Sequence, residues 1–306
     1  MTLRRKKPWG QQKPPVGYKQ DWSHPLSKGL VGHWLFNEGA GGKAFDIAKN
    51  NHGTLVNTPT KVAGKFGQAL SFNGTSQYID LGAPTLSATM TVSAWIRPSS
   101  FTTPGSIVTK GYDGTNTQWS LDTVASSGLI AFCTFSVYVS HGATSAVAVP
   151  LNKWSFVVGT YDGVTWKVYV NGLLSGSSVD IAPVVTTNKL EIGAVDSFGT
   201  PIQFFSGGID DVRIYNRALS VGEIQTLYST PFADIEAPKR RWQNGISTGL
   251  SIAASYDTAT ATGYTAAIQQ NTSIAATYGT AAATGYTAGV DQPTGNIPNL
   301  IMNDLW

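Results

Sequence analysis

The chain has 306 residues, of which 42% are hydrophobic and only 13% charged; this excludes a disordered chain and leaves room for one large domain with appendages, or for two domains. The formal charge of +3 comes from the ends: residues 1–20 hold six Lys and Arg and no acid, residues 28–231 hold twelve of each sign, and residues 251–306 hold three Asp and no base. A neutral body of this kind is no dedicated nucleic-acid binder, no stretch approaches the roughly 20 apolar residues of a membrane helix, and the single Cys133 excludes an intrachain disulfide and fits folding in a reducing cytoplasm.

The first element is the stretch "MTLRRKKPWGQQKPP". It combines five basic residues with three prolines, and no apolar run follows, so it reads as an extended arm and not as a signal peptide. A solvated tail, a nucleic-acid tether and a docking arm all fit such a stretch. Docking onto a neighbouring subunit is preferred, with Arg4, Arg5, Lys6 and Lys7 supplying charge and Trp9 and Trp22 supplying anchors. From Leu30 to about Tyr228 the pattern is one of short strands between turn residues. "TVSAWIRP" alternates Val92, Ala94 and Ile96 against Thr91, Ser93 and Trp95. "WSFVVGTYDG" and "TWKVYVNG" are period-2 runs joined at Asp162-Gly163, a hairpin signal, because Asp-Gly supplies the positive φ of a tight turn. Asn73-Gly74, Asp113-Gly114 and Asn171-Gly172 mark further turns.

One helix stands out, "SVGEIQTLY", with Ser220 as N-cap, Glu223 completing a capping box, and Ile224, Leu227 and Tyr228 on an apolar face. An extended connector with Pro231, Pro238 and the triplet Lys239, Arg240, Arg241 follows. The tail contains a repeat: "SIAASYDTATATGYTAAI" (251–268) recurs as "SIAATYGTAAATGYTAGV" (273–290). Large residues fall on even positions in both copies, the period of a strand. A turn in the middle of each copy, near 257–261 and 279–283, gives two hairpins, each needing a neighbour because an isolated hairpin is marginal. The domain plan is therefore a docking arm 1–27, a sandwich 28–231, a linker 232–250 and a β-repeat region 251–306.

The stretches "GLVGHWLFNEGAG", "NNHGTL", "GKFGQALSFNGTSQYIDLG", "MTVSAWIRP", "NKWSFVVGTYDGVTWKVYVNGLLSG" and "GGIDDVRIYNRALSVGEIQTLY" together resemble the laminin-G-like, concanavalin-A-like jelly-roll family over residues 28 to about 231. The resemblance implies an all-β fold, a two-sheet antiparallel jelly-roll sandwich, here with an extended N-terminal arm and a C-terminal β-hairpin repeat region. Members bind glycans or proteins or serve as structural modules, and the fold alone does not choose among these. The basic, proline-containing start and the "RRW" exit are similar to those of laminin-G-like proteins of tailed bacteriophages.

Glucanases of this fold need carboxylates spaced acid-x-acid-x-acid along a strand. The chain has four Glu (Glu38, Glu191, Glu223, Glu236), none in such an array, and the neighbours Asp210 and Asp211 are expected to point to opposite sides of their strand. No enzyme is expected. His24, His33, His52 and His141 are scattered and read as structural, and Cys133 reads as a small buried hydrophobe. The resemblance implies Asp46 and Asp210 as candidate calcium ligands, weakened by Lys49 in the loop; the bland alternative is a turn cap at Asp46 and backbone contacts at Asp210. Trp34, Trp95 and Trp154 read as core, while Tyr112, Asn116, Trp119 and Phe198 are the candidate glycan contacts.

The function expected is that of a non-enzymatic virion structural protein, a capsid decoration protein or head fibre, displaying a lectin-like domain for surface polysaccharide. A tail or baseplate accessory and a secreted bacterial carbohydrate-binding module are the alternatives. The expected partners are a major capsid protein or other virion subunits, a glycan, and further copies of the chain in a trimer or dimer. Neither specific nucleic acid nor membrane is expected. The expected location is the virion surface, after synthesis in the host cytoplasm.

Overall fold

Alternation of apolar and polar residues bends the chain into strands that bury one face each, and the turns read from the sequence separate them. The computed structural model of the chain describes residues 12–112, 116–136, 139–236, 259–269 and 273–283. The first of its two units, residues 1–239, is built on two eight-stranded antiparallel sheets. The first sheet runs in the order Leu173–Val179, Thr165–Val170, Ser155–Tyr161, Met90–Pro98, Ser206–Tyr215, Gln68–Asn73, Thr60–Ala63, with Leu30–Trp34 also paired to Ser206–Tyr215. The second runs Val139–Thr144, Ile130–Ser136, Asn116–Thr123, Gly105–Tyr112, Leu190–Ile192, Tyr78–Asp80, Gly53–Val56, Lys43–Ala44.

The main core lies between the sheets. Val92, Ala94 and Ile96 meet Trp119, Leu121, Ile130 and Phe132 there, and Trp34 and Trp166 are sealed among them. The sheets approach so closely that a Cβ on Gly159 would lie 2.1 Å from the Phe132 ring, so only glycine fits at that point. At the hairpin, Asp162 accepts from the N–H of Val164 and Thr165 at 3.0 and 2.8 Å, and Gly163 takes φ +106.

A second, smaller core covers the outer face of the first sheet. Trp95, on that face, stacks on Tyr228 of the helix Val221–Ser229 with centroids 5.5 Å apart. The capping box is present: the Ser220 hydroxyl accepts from the Glu223 N–H, and the Glu223 carboxylate accepts from the Ser220 N–H. Ile224 and Leu227 are buried as the helical period requires.

Beside this core lies a layer of buried charge. Ile209 and Val212 both enter the main core, so a bulge between them puts Asp210 and Asp211 on the same, outer face. This corrects the expectation of opposite faces; Asp211 sits at φ 45, the irregular position that breaks the alternation. Arg213, fully buried, bonds Asp211 at 3.3 Å and Asp234 at 2.8 Å and reaches the Pro231 carbonyl. His33 meets Asp211 at 2.7 Å, and Gln20 donates to Asp234 Oδ2 at 2.7 Å. The segment 12–27 is thereby packed on the chain's own sandwich. Lys13 binds both Asp210 and the Gln68 carbonyl, Pro14 accepts from Asn37 at 2.7 Å, and Gln20 bridges to Ile235. Residues 1–11 lie outside the described residues.

The second unit is residues 240–306, of which two strands are described. Ala259–Gln269 and Ser273–Ala283 pair antiparallel, with Ile268 opposite Ile274 and Ala259 opposite Ala283. This corrects the plan of one hairpin per repeat. Residues 259–261 and 279–283, expected to turn, continue as strand. The other residues of the repeat lie outside the described ones.

Removing one member of a buried ion network leaves its partners uncompensated. Arg213→Ala is expected to cost about 3–5 kcal/mol in denaturant unfolding; a cost under about 1 kcal/mol would show that the layer is not closed.

Candidate functional site

The outer face of the second sheet carries the site. Along Asn116–Thr123, Trp119 and Leu121 enter the core, so Ser120 and Asp122 face outward. Along Ile130–Ser136, Ile130 and Phe132 enter the core, so Ala131, Cys133 and Phe135 share that outer face. The register places Ala131 opposite Asp122 and Cys133 opposite Ser120. A two-stranded hairpin, Val195–Ser197 with Thr200–Ile202, supplies the facing wall through Val195 and Ile202, with Gln203 just beyond. Between them lies a cleft of about 420 Å³, inside the range of small-ligand sites.

Its lining is chiefly apolar with a few convergent polar groups: Thr117, Ser120, Ser140 and the Asp122 carboxyl. Asp122 Oδ1 is sealed from solvent and receives no hydrogen bond. Burial pushes the Asp122 carboxyl up to about 6, against the Ser120 and Ser106 hydroxyls, which favour the ionised form. Burial, and then the Asp122 charge, push the Cys133 thiol up to about 12. Cys133 is thus no core residue: it is half-buried in the cleft wall, one strand position out of phase with Phe132.

A second acidic group lies further along the same face. Glu191, between the core residues Leu190 and Ile192, points outward yet is buried, with no side-chain donor on its carboxyl. It sits opposite Asp80 on one neighbouring strand and Thr109 on the other. Burial, then the charges of Asp196 and Asp80, push it up to about 8, while Lys189 pairs with Asp80 at 2.9 Å. No sequence spacing announces this group, because its members are neighbours only through strand register.

The candidate contacts divide. Trp119 is a correction: it is fully buried in the main core, packed on Phe132 at 6.3 Å, because its strand position is an inward one. Phe198 is 76% exposed between the strands of the hairpin that walls the cleft. Tyr112 and Asn116 end the strands Gly105–Tyr112 and Asn116–Thr123, and their side chains lie outside the described residues. Trp34 and Trp95 are core, and Trp154 is half-buried under Arg97. Trp22 is half exposed with Lys49 above its ring at 4.3 Å; Arg4, Arg5, Lys6, Lys7 and Trp9 lie outside the described residues.

The calcium candidates do not fit a cation. Asp46 is filled by four backbone N–H donors, from His33, Ala48, Lys49 and Asn51, at 2.8–3.0 Å. Asp210 accepts from Lys65 and Phe66 N–H and from the Lys13 ammonium, a positive charge supplied by the chain itself. Among the described residues no group of three or more His, Cys, Asp or Glu could hold a metal ion. The histidines are structural: His52 accepts from the Asp46 N–H at 3.1 Å, His24 caps a short 3-10 turn, and His141 pairs with Asp180 at 2.9 Å.

Two curved antiparallel sheets with one outer face closed and the other bearing a cleft define a lectin-type sandwich. Residues 73–225 match the concanavalin A-like lectin/glucanases superfamily, and the chain belongs to that family. No curated protein matches it. Among solved structures it is similar to domain 4 of AbnA, a GH43 extracellular arabinanase from Geobacillus stearothermophilus, in complex with arabinotriose: 24% identity and TM-score 0.56, over 65% of this chain and 98% of that one. It is also similar to the binding domain of Paraclostridial Mosquitocidal Protein 1, at 14% identity and TM-score 0.53, over 68% of this chain and 53% of that one. A Trypanosoma rangeli sialidase mutant displaying trans-sialidase activity shares 18% identity at TM-score 0.50, over 70% of this chain and 36% of that one. At these identities the likeness is one of fold.

The acids set the pH response. Glu191 is raised from 4.5 to about 8 and Asp122 from 3.8 to about 6, so each stays protonated in the fold where the unfolded chain has ionised, and stability falls as pH rises through those windows. Asp211 responds in the opposite direction. Burial opposes its charge, but Arg213 and His33 hold it down at about 2, so its contribution is lost as pH falls below 3.8. Asp210, which burial raises to about 6, responds like Asp122, whereas burial lowers His33 and stability is lost as pH falls below 6.5. Glu191→Gln is expected to raise Tm at pH 8 and leave it unchanged at pH 4. For the Lys13–Asp210 pair, added calcium or a chelator is expected to leave Tm unchanged.

Proposed function

We propose that the chain is a non-catalytic saccharide-binding protein whose ligand lies in the cleft between Asn116–Thr123, Ile130–Ser136 and the hairpin Val195–Ile202. The observation that carries this reading is the lining itself. An aromatic ring, Phe135, and aliphatic walls meet a small set of hydroxyls and one carboxyl with an unused oxygen, the mixture that a sugar's apolar faces and hydroxyl edges require. The arabinanase domain of similar fold, bound to arabinotriose, supports the same class of ligand.

Binding is favoured over hydrolysis by the placement of the acids. Glu191 is absent from the cleft lining, and it is two strands and two residues away from Asp122. Asp122 is thus the one carboxyl among the described residues lining the cleft, where glycoside cleavage uses a pair. A glycan array on the full chain is the test. Binding is expected, with Phe135→Ala weakening it about tenfold, the size of one good contact. No saccharide bound at high protein concentration would remove the reading.

The setting we propose is a virion surface, as a capsid decoration protein or head fibre. The stretch "MTLRRKKPWG", with Arg4, Arg5, Lys6 and Lys7 and no acid, supports docking onto an acidic partner. Deleting residues 1–11 is expected to abolish co-sedimentation with particles while leaving Tm unchanged; unimpaired co-sedimentation would defeat the docking role.

A further inference from the structure

Resting on the saccharide-binding reading, we propose that the cleft selects neutral saccharides over acidic ones, and that Asp122 is the residue that makes the choice. Among the described residues lining the cleft, Asp122 carries the one carboxyl, and no Lys, Arg or His lines it. An acidic sugar therefore meets no counter-charge in the cleft, and it would have to lose its own hydration next to a carboxylate. A neutral sugar meets the opposite situation. Its hydroxyls are donors, and the Asp122 carboxyl in the cleft lining is an acceptor. A hydroxyl placed there forms a charge-assisted bond, about twice as strong as a neutral one.

The surroundings keep Asp122 in that role. Ser120 and Ser106 flank its carboxyl from its own strand and the next one, and Ser106 is itself turned toward Gln203 at 3.5 Å. The opposite neighbour across the strands is Ala131, too small and apolar to offer a hydrogen bond. Beyond the Ser120 and Ser106 hydroxyls the fold offers this buried carboxyl no partner and leaves Oδ1 unpaired, a cost in stability that fits a group kept for a ligand and not for packing.

The test compares wild type with Asp122→Asn in calorimetric titrations at pH 7. The probes are galactotriose, mannotriose and cellotriose, each beside its uronate trimer. Wild type is expected to bind at least one neutral trimer and to bind the matching uronate at least tenfold more weakly. Asp122→Asn is expected to lose about tenfold toward the neutral trimer and to lose the discrimination, while its Tm at pH 7 equals or exceeds that of wild type. A residue that served only the fold would give the reverse, a lower Tm with the neutral-to-acidic ratio intact. Equal affinity of wild type for a neutral trimer and its uronate would overturn the selectivity and leave the saccharide reading standing. Binding of none of the six would overturn both.

Discussion

A guanidinium that water does not reach anchors the sandwich. Arg213 lies on the strand Ser206–Tyr215, which three other strands of the first sheet pair with, and its charge is met by Asp211 and Asp234. Each of those carboxylates ties in a different part of the chain. Asp211 holds His33 on the first strand, and Asp234 holds Gln20 from the entering segment while itself belonging to the exit after the helix. Buried ions of this kind contribute little net stability over apolar residues of the same shape. They do specify geometry, since none of the partners can move without leaving a charge bare. The bulge at Asp211 adds Asp210 to the same layer, and with it Lys13. Residues 13–20 and 231–235 are thus held at one place.

That arrangement decides where a ligand can go. The outer side of the first sheet is closed by the helix Val221–Ser229, by Phe232 and Ile235, and by the entering segment. The second sheet keeps its outer side, partly walled by the hairpin Val195–Ile202. The acids follow the same division. Asp210, Asp211 and Asp234 pair with cations, whereas Asp122 and Glu191 form no ion pair among the described residues; burial raises Asp122, Glu191 and, in spite of Lys13, Asp210. One face spends its charges on assembly of the fold, and the other holds polar groups that the fold leaves unused.

Much of this was legible in local sequence. Asp162-Gly163 fixed a hairpin because the turn chemistry is complete within two residues, and Ser220 with Glu223 fixed a helix start for the same reason. The alternation of Val92, Ala94 and Ile96 gave the inner face of the strand Met90–Pro98. The site was less legible, because its facts are facts of phase and register. Trp119 and Cys133 lie on neighbouring strands, and which of them faces the core depends on a one-residue phase that aromatic content does not reveal. Glu191 and Asp80 are 111 positions apart and adjacent only through pairing. The bulge that turns Asp211 outward carries no glycine to mark it. In the tail, period 2 was readable, but Ala, Thr and Gly support strand and turn alike, so the site of reversal was not.

The position of Cys133 has a consequence under oxidising conditions. A thiol that holds its proton up to about 12 is a poor nucleophile at any physiological pH. As the only sulfur of its kind in the chain, it offers oxidants little thiolate to attack. Copies of the chain crowded together in air-saturated surroundings would therefore stay free of covalent cross-links, and their mutual arrangement would be left to non-covalent contacts alone.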